Sequence, residues 1–361
     1  MWRATIRAIM KPLVMLFALV VSTVSCTSTP SLNAEKPWGM VIHTGAGTFT
    51  LESLGERREP MRAAMTEALT AGHRILQGGG ASLDAVEAAI RILEDNPLFN
   101  AGKGAVFTHE GTNELDSSIM NGRTLAAGAV AGLKHIKNPI HLARLVMEKS
   151  PHVMMAGEGA EAFARTQPDV ELVPESYFYT ERRWQELQKT LEQEKAKPEK
   201  QSRSADRNHP DYFGTVGAVA LDKQGDLAAG TSTGGTTNKR VGRVGDSPVI
   251  GAGTYANNQS CGISATGQGE YFIRFTVAHD ICARVQYRNM TIQAAADSVV
   301  KDLLRPAGGD GGVIGMDRNG NVAMSFNVTG MGRGYVGPDG RPVIKFTAED
   351  SVGLPAAKGN R

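Results

Sequence analysis

The feature that most constrains this chain is a change of texture near its middle. From about Thr180 to Tyr212 the sequence is polar, with Glu192, Glu194, Lys195, Lys197, Glu199 and Lys200 in quick succession. The segment begins as a predicted helix and loses that pattern past Pro198. At Gly214 it ends abruptly, and Thr215-Val216-Gly217-Ala218-Val219-Ala220 opens a run suited to a buried strand. A second strand, Leu227 to Thr231, follows the turn Asp222-Lys223-Gln224-Gly225-Asp226 and runs into Gly230-Thr231-Ser232-Thr233-Gly234-Gly235-Thr236-Thr237. The fold must therefore place a solvated interruption next to a threonine at the mouth of a core strand. Were the Gly214–Thr215 bond cut, Thr215 would carry a free α-amine beside its own hydroxyl. Nucleophile and base would then sit on one residue.

The remaining texture is that of an ordinary globular protein: 361 residues, 41% hydrophobic and 21% charged. A net charge of +2 gives no electrostatic case for nucleic acid. The 42 glycines cluster in short motifs, which implies tight turns and close backbone approach rather than a flexible tract. At the N-terminus Arg3, Arg7 and Lys11 precede the apolar run Leu13 to Val21, and small residues follow through Ser25. This reads as a secretory signal peptide over residues 1–25, with an apolar run too short to span a bilayer, and implies a periplasmic or secreted protein. Cys26 gives a weakly supported lipoprotein site, because Thr23 stands three positions before it where a large aliphatic residue is usual. Cys261 and Cys282 read as small core hydrophobes, a disulfide between them being open but not indicated. No thiol or histidine spacing suits zinc.

Trp38 to Ile42 reads as a first strand, ending in His43-Thr44-Gly45-Ala46-Gly47. Met61, Met65, Leu69, His73 and Leu76 recur at helical spacing within Arg57 to Gln77, and Gly78 to Gly80 stop that helix. Ser82 is the expected cap of a second helix carrying Leu83, Val86, Ala89, Ile90 and Leu93 on one face. Strands are expected near Ala105 to Thr108 and Ala126 to Leu133, and helices over Ile140 to Lys149 and Gly157 to Thr166. Beyond the central hairpin come a strand at Cys261 to Ala265 and helices over Gly269 to Ala283 and Ile292 to Leu304. A hairpin of Gly311 to Met316 with Val322 to Asn327 follows. Hairpins outnumber βαβ alternation, which favours an α+β fold with antiparallel sheet between helical layers.

Three motifs could carry chemistry. Thr233 stands eighteen positions after Thr215, so on adjacent antiparallel strands the two hydroxyls could meet. In Gly242-Arg243-Val244-Gly245-Asp246-Ser247-Pro248 a guanidinium and a carboxylate on one turn could read both ends of an amino acid's α-carbon. Thr266-Gly267-Gln268-Gly269-Glu270 joins a strand to a helix, where backbone N–H groups could stabilise an oxyanion. Each has a plainer reading as strand threonine, surface ion pair or helix cap. Gly230-Thr231-Ser232-Thr233-Gly234 matches the G-x-S-x-G elbow, but no helix can start after it, and a serine hydrolase is rejected.

Together these motifs resemble the plant-type asparaginase/isoaspartyl peptidase family of N-terminal nucleophile hydrolases. Ala256-Asn257-Asn258, Asn96-Pro97-Leu98-Phe99-Asn100-Ala101-Gly102 and Glu114-Leu115-Asp116 add to the match, which runs from about Trp38 to Asn327. The resemblance implies a four-layer αββα sandwich, cut between Gly214 and Thr215 into an α subunit (36–214) and a β subunit (215–361), assembled as (αβ)2. It implies Thr215 as nucleophile with Thr233 beside it, Arg243 for the substrate α-carboxylate and Asp246 for its α-ammonium. Thr266 and Gly267 would form the oxyanion hole, with Gly269 lining the aspartyl pocket. No cofactor is required. A structural sodium ion would sit on backbone carbonyls of Leu93, Glu94, Asn96, Phe99, Ala101 and Lys103, with Asn100 nearby. Substrates would be small molecules or dipeptides with an L-aspartyl moiety. Two positions depart from the family pattern: Thr44, where a second glycine is usual after the histidine, and Asn121, where an acidic residue is common. A glycosylasparaginase-like amidase and an uncut amino-acid-binding protein are the alternative readings.

Overall fold

The central hairpin is built as the sequence implies, and the rest of the molecule is arranged around it in layers. The computed structural model describes residues 36–196, 214–348 and 350; the leader, Cys26 and the end of the linker lie outside them. In chain order the first half runs β1 (Gly39–Gly47), α1 (Leu51–Leu54), α2 (Arg58–Gln77), α3 (Ser82–Glu94), β2 (Leu115–Asn121), β3 (Ala127–Leu133), α4 (Pro139–Lys149), β4 (Met154–Ala156), α5 (Gly157–Ala164) and α6 (Glu181–Ala196). The second half runs β5 (Val216–Leu221), β6 (Leu227–Thr233), β7 (Thr254–Ala256), β8 (Cys261–Gly267), α7 (Gly269–Arg274), α8 (Val277–Arg288), α9 (Ile292–Val299), β9 (Gly311–Asp317), β10 (Val322–Phe326), β11 (Gly330–Val336) and β12 (Val343–Thr347).

An eight-stranded sheet has the order β12-β11-β1-β5-β6-β2-β3-β4, and a four-stranded sheet the order β10-β9-β8-β7. Among the strands of the described residues, only β3 and β4 pair in parallel. Three apolar cores show how the layers stack. The first joins Met65 and Leu69 of α2 and Val86 and Ile90 of α3 to Ile42, Ala218 and Ala228 of the large sheet. The second lies between the sheets, around Val41, Val219, Leu227, Ile314 and Met316. The third packs Ile281 and Cys282 of α8 and Ala295 and Val299 of α9 on Ile263 and Val313 of the small sheet. Helices, sheet, sheet and helices make a four-layer αββα sandwich. Every residue of β5 is buried because both its faces are covered, hence its unbroken apolar run.

Several local expectations need correction. Ser82 is not the cap of α3: Ala81 holds that position without a side-chain bond, and the Asp222 carboxylate accepts from the Ser82 N–H at 2.9 Å. The cap comes from the β5–β6 turn, 140 positions away. Ala105 to Thr108 forms no strand, only a single bridge from Thr108 to Lys239. The helix expected over Gly269 to Ala283 is broken, with Thr276 at φ 46° between α7 and α8. The helix expected to reach Leu304 widens to a π-turn over Val300–Leu304, just before Pro306. A proline ring crowds the carbonyl four residues back, and a wider turn relieves this.

Cys261 and Cys282 are joined, with Cα atoms 5.4 Å apart, so they are a disulfide rather than two separate core hydrophobes. It ties β8 to α8 across the third core. Strand and helix periodicity place each cysteine on an inward face but carry no information about their separation in space. Replacing Cys282 with alanine is expected to lower stability by about 3 kcal/mol, the scale for closing a loop of this size, as read from chemical denaturation.

Candidate active site

The β5–β6 register pairs Val216 with Ser232, so the next positions outward bring Thr215 opposite Thr233. Thr215 Oγ1 donates to Thr233 Oγ1 at 3.0 Å, and both residues are buried. Thr233 Oγ1 also accepts from the Gly235 N–H at 3.0 Å, which fixes its orientation. Thr215 has φ 31°. For a β-branched residue this is a strained backbone, costing on the order of 1–3 kcal/mol, and it lies immediately after Gly214. Thr266 Oγ1 faces Gly214, 3.9 Å from where a Cβ would stand. Three threonine hydroxyls thus converge on one peptide unit.

Gly45 of β1 makes this convergence possible. It has φ +109°, and a Cβ there would run into the carbonyl oxygen of Gly214. Glycine is required at that point both for its conformation and for the close approach.

One cavity is lined by Gly214, Thr215, Thr233, Arg243, Asp246, Thr266 and Gly267, together with Gly235, Thr236, Gly245 and Ser247. The sequence singled out the first seven and missed the last four. Gly269 is not on the cavity wall but behind Arg243, 2.9 Å from its Nη2 measured from an ideal Cβ. It is a glycine so that the Arg243–Asp246 turn can lie against α7. The Arg243 guanidinium pairs with the exposed Glu270 through Nε and Nη2, both at 3.1 Å. Asp246 is buried, its Oδ2 has no partner among the described residues, and burial pushes its carboxyl up to about 7 against the pull of Arg243. A buried carboxyl with one oxygen unpaired, beside a guanidinium, is prepared for a ligand that brings its own positive charge.

Three further residues shape the site from behind. Asn100 donates to the Gly235 carbonyl at 2.7 Å and accepts from the Val106 N–H at 3.0 Å, tying the loop after α3 to the cavity edge. Glu94, wholly buried and raised to about 8 by burial, accepts from Ser232 Oγ at 2.6 Å and from the Ile140 N–H at 3.0 Å. His43 is also wholly buried, and burial lowers its imidazole to about 3. No sequence spacing reveals these contacts, which span up to 221 positions.

The two departures noted in the sequence lie away from the cavity. Asn121 is at the far end of β2, where its Oδ1 accepts from the N–H groups of Arg123 and Thr124. Thr44 points into the helical layer, its Oγ1 donating to Met65 Sδ at 3.7 Å. Thr44→Gly is therefore expected to lower stability by about 1–2 kcal/mol in denaturant titration while leaving KM unchanged.

The family model described as Asparaginase matches residues 36–344. Among similar proteins, the isoaspartyl peptidase of Salmonella typhimurium is 47% identical over 301 residues, 82% of this chain and 95% of the relative. The plant-type L-asparaginase of Pyrococcus abyssi is 44% identical over 301 residues, 82% and 95% of the two chains. The isoaspartyl peptidase/L-asparaginase of Bos taurus is 40% identical over 292 residues, 81% and 91% of the two. On the family match and these identities, over a fold of stacked helices and sheets, the chain belongs to the asparaginase family.

Proposed function

We propose that this protein hydrolyses isoaspartyl peptides and L-asparagine, after cutting its own chain between Gly214 and Thr215. The observation that carries the reading is the Thr215–Thr233 hydroxyl contact at a strained junction, in one cavity with Arg243 and Asp246. The names of the relatives agree with it.

In the first reaction Thr215 Oγ1 attacks the Gly214 carbonyl, the C–N bond breaks, and the resulting ester is hydrolysed to leave a free Thr215 α-amine. Relief of the positive φ favours this step. In the second, that amine, with a reference pKa of about 7.7–8.0, takes the hydroxyl proton as Oγ1 attacks the substrate's side-chain carbonyl. Ammonia or an amine leaves, and water cleaves the β-aspartyl ester. Arg243 holds the α-carboxylate, displacing Glu270, and Asp246 holds the α-ammonium. Thr266 and Gly267 face the developing oxyanion.

A sodium ion fits the loop after α3 as a structural element. A Cβ at Gly102 would meet the Glu94 carbonyl, and one at Gly104 would meet those of Phe99 and Pro97. Backbone carbonyl oxygens crowded into this loop are hard neutral donors of the kind such a cation takes. We further propose export to the periplasm, supported by the leader and by the Cys261–Cys282 disulfide, and assembly of two processed chains as (αβ)2.

Purified protein is expected to run as two fragments on a denaturing gel, and Thr215→Ala as one. An intact, fully active wild-type chain would overturn the proposal. Hydrolysis of β-aspartyl dipeptides in preference to glycosylated asparagine separates this reading from the glycosylasparaginase alternative. The pH dependence has a definite sign. Below about 7 the Asp246 carboxyl is neutral and offers little to an ammonium, and above it the group is ionised. KM for an isoaspartyl dipeptide should therefore fall as pH rises through about 7. Steady-state kinetics of Asp246→Asn should show a raised KM without that inflection.

A further inference from the structure

Near the candidate site the space between the sheets is filled by hydroxyl groups rather than by the apolar core. His43 Nε2 on β1 lies 2.9 Å from Ser264 Oγ on β8. Ser264 Oγ lies 2.6 Å from Thr231 Oγ1 on β6, and Thr254 Oγ1 on β7 donates to Thr231 Oγ1 at 2.6 Å. Ser118 Oγ on β2 lies 2.8 Å from Thr254 Oγ1 and donates to the Ser247 carbonyl at 2.6 Å. Thr231 Oγ1 also reaches the Gly253 carbonyl at 3.1 Å. The four side-chain to side-chain steps each cross from one sheet to the other, and every side chain in the series is wholly buried.

The two ends of the series are informative. At one end the His43 ring lies against Gly217, its register partner on β5 and two residues past Thr215. At the other, Ser247 adjoins Asp246 and lines the same cavity. Gly217 leaves room for the first link, since a Cβ there would collide with both Ser264 Oγ and His43 Nε2. A glycine inside a strand commonly marks such a close approach.

We propose that this series is one connected positioning element, which holds the start of β5 just behind Thr215 and the Asp246 turn in fixed relation across the sheet interface. It makes His43, Ser264, Thr231, Thr254 and Ser118 positioning residues that touch no substrate. The role rests on the hydrolase reading above. Each hydroxyl oxygen in the series is shared between two or more neighbours, so deleting one leaves those buried neighbours short of a partner they cannot replace from water.

The test compares Thr254→Val, which keeps the shape and removes the hydroxyl, with Thr254→Ser, which keeps the hydroxyl. Thr254→Val should lower kcat for a β-aspartyl dipeptide about tenfold, with KM within about twofold, while Thr254→Ser retains most of the rate. Thr254→Val should also shift the His43 ring 15N resonances, three links away. Equal loss of kcat in both variants would indicate packing alone and overturn the proposal, as would unmoved His43 resonances. If Thr254→Val does not fold, Ser118→Ala replaces it, with the same two outcomes. A wild-type chain that hydrolyses no aspartyl substrate overturns the hydrolase reading instead, and the His43 resonances still decide whether the series is connected.

Discussion

The pairing of β5 between β1 and β6 is the constraint on which the site depends. Hydrogen bonding along both edges fixes the strand's height and rotation, so the residue at its mouth is placed by the ladder rather than by its own contacts. The ladder from β6 sets Thr233 against Thr215. On the other edge Gly45, beyond the last β1–β5 pair His43–Gly217, comes up against Gly214. A shift of one residue in either register would turn Thr215 toward the helical layer.

A second layer of control comes from the small sheet. Thr266 and Gly267 end β8, and the Arg243–Asp246 turn precedes β7, so apart from Thr233 the groups around Thr215 are carried by the small sheet and the loop leading into it. The site therefore depends on how the two sheets are held together. Where β5 and β6 are apolar, Val219 and Leu227 interlock with Ile314 and Met316. Near the cavity, directional hydroxyl contacts replace these, and directional contacts fix a relative position more narrowly than apolar packing does.

Much of this was legible in the sequence where the signal is local. The α2 face of Met61, Met65, Leu69, His73 and Leu76 is buried as its spacing implies, and the β5–β6 hairpin is bounded as its turn residues imply. β11 was not seen, because Gly-Met-Gly-Arg-Gly-Tyr-Val reads as loop; its glycines answer to neighbours such as Phe49 and Thr44. β2 was seen only as a motif, since Asp116, Ser117 and Ser118 are polar groups buried by partners on other elements. The break at Thr276, the cap from Asp222 and the disulfide likewise arise from distant packing. At the site, motif order singled out some of the residues that line the cavity, Thr215, Thr233, Arg243 and Asp246 among them, and passed over Gly235, Thr236, Gly245 and Ser247. The residues behind them, His43, Glu94 and Asn100, required coordinates.

The strand order of the large sheet has a consequence for the two halves of the chain. Counting from β12, two strands come from beyond Gly214, then one from before it, then two from beyond, then three from before. The halves are interleaved like fingers, so neither can present a closed sheet alone. The disulfide lies wholly within the second half, so no covalent link described here would join the pieces after a cut. Their cohesion would rest on backbone ladders and shared apolar surface, which makes the order of events one-way. If the chain is cut as proposed, it must be woven as a single thread first, and separately made halves would each expose open sheet edges prone to aggregation.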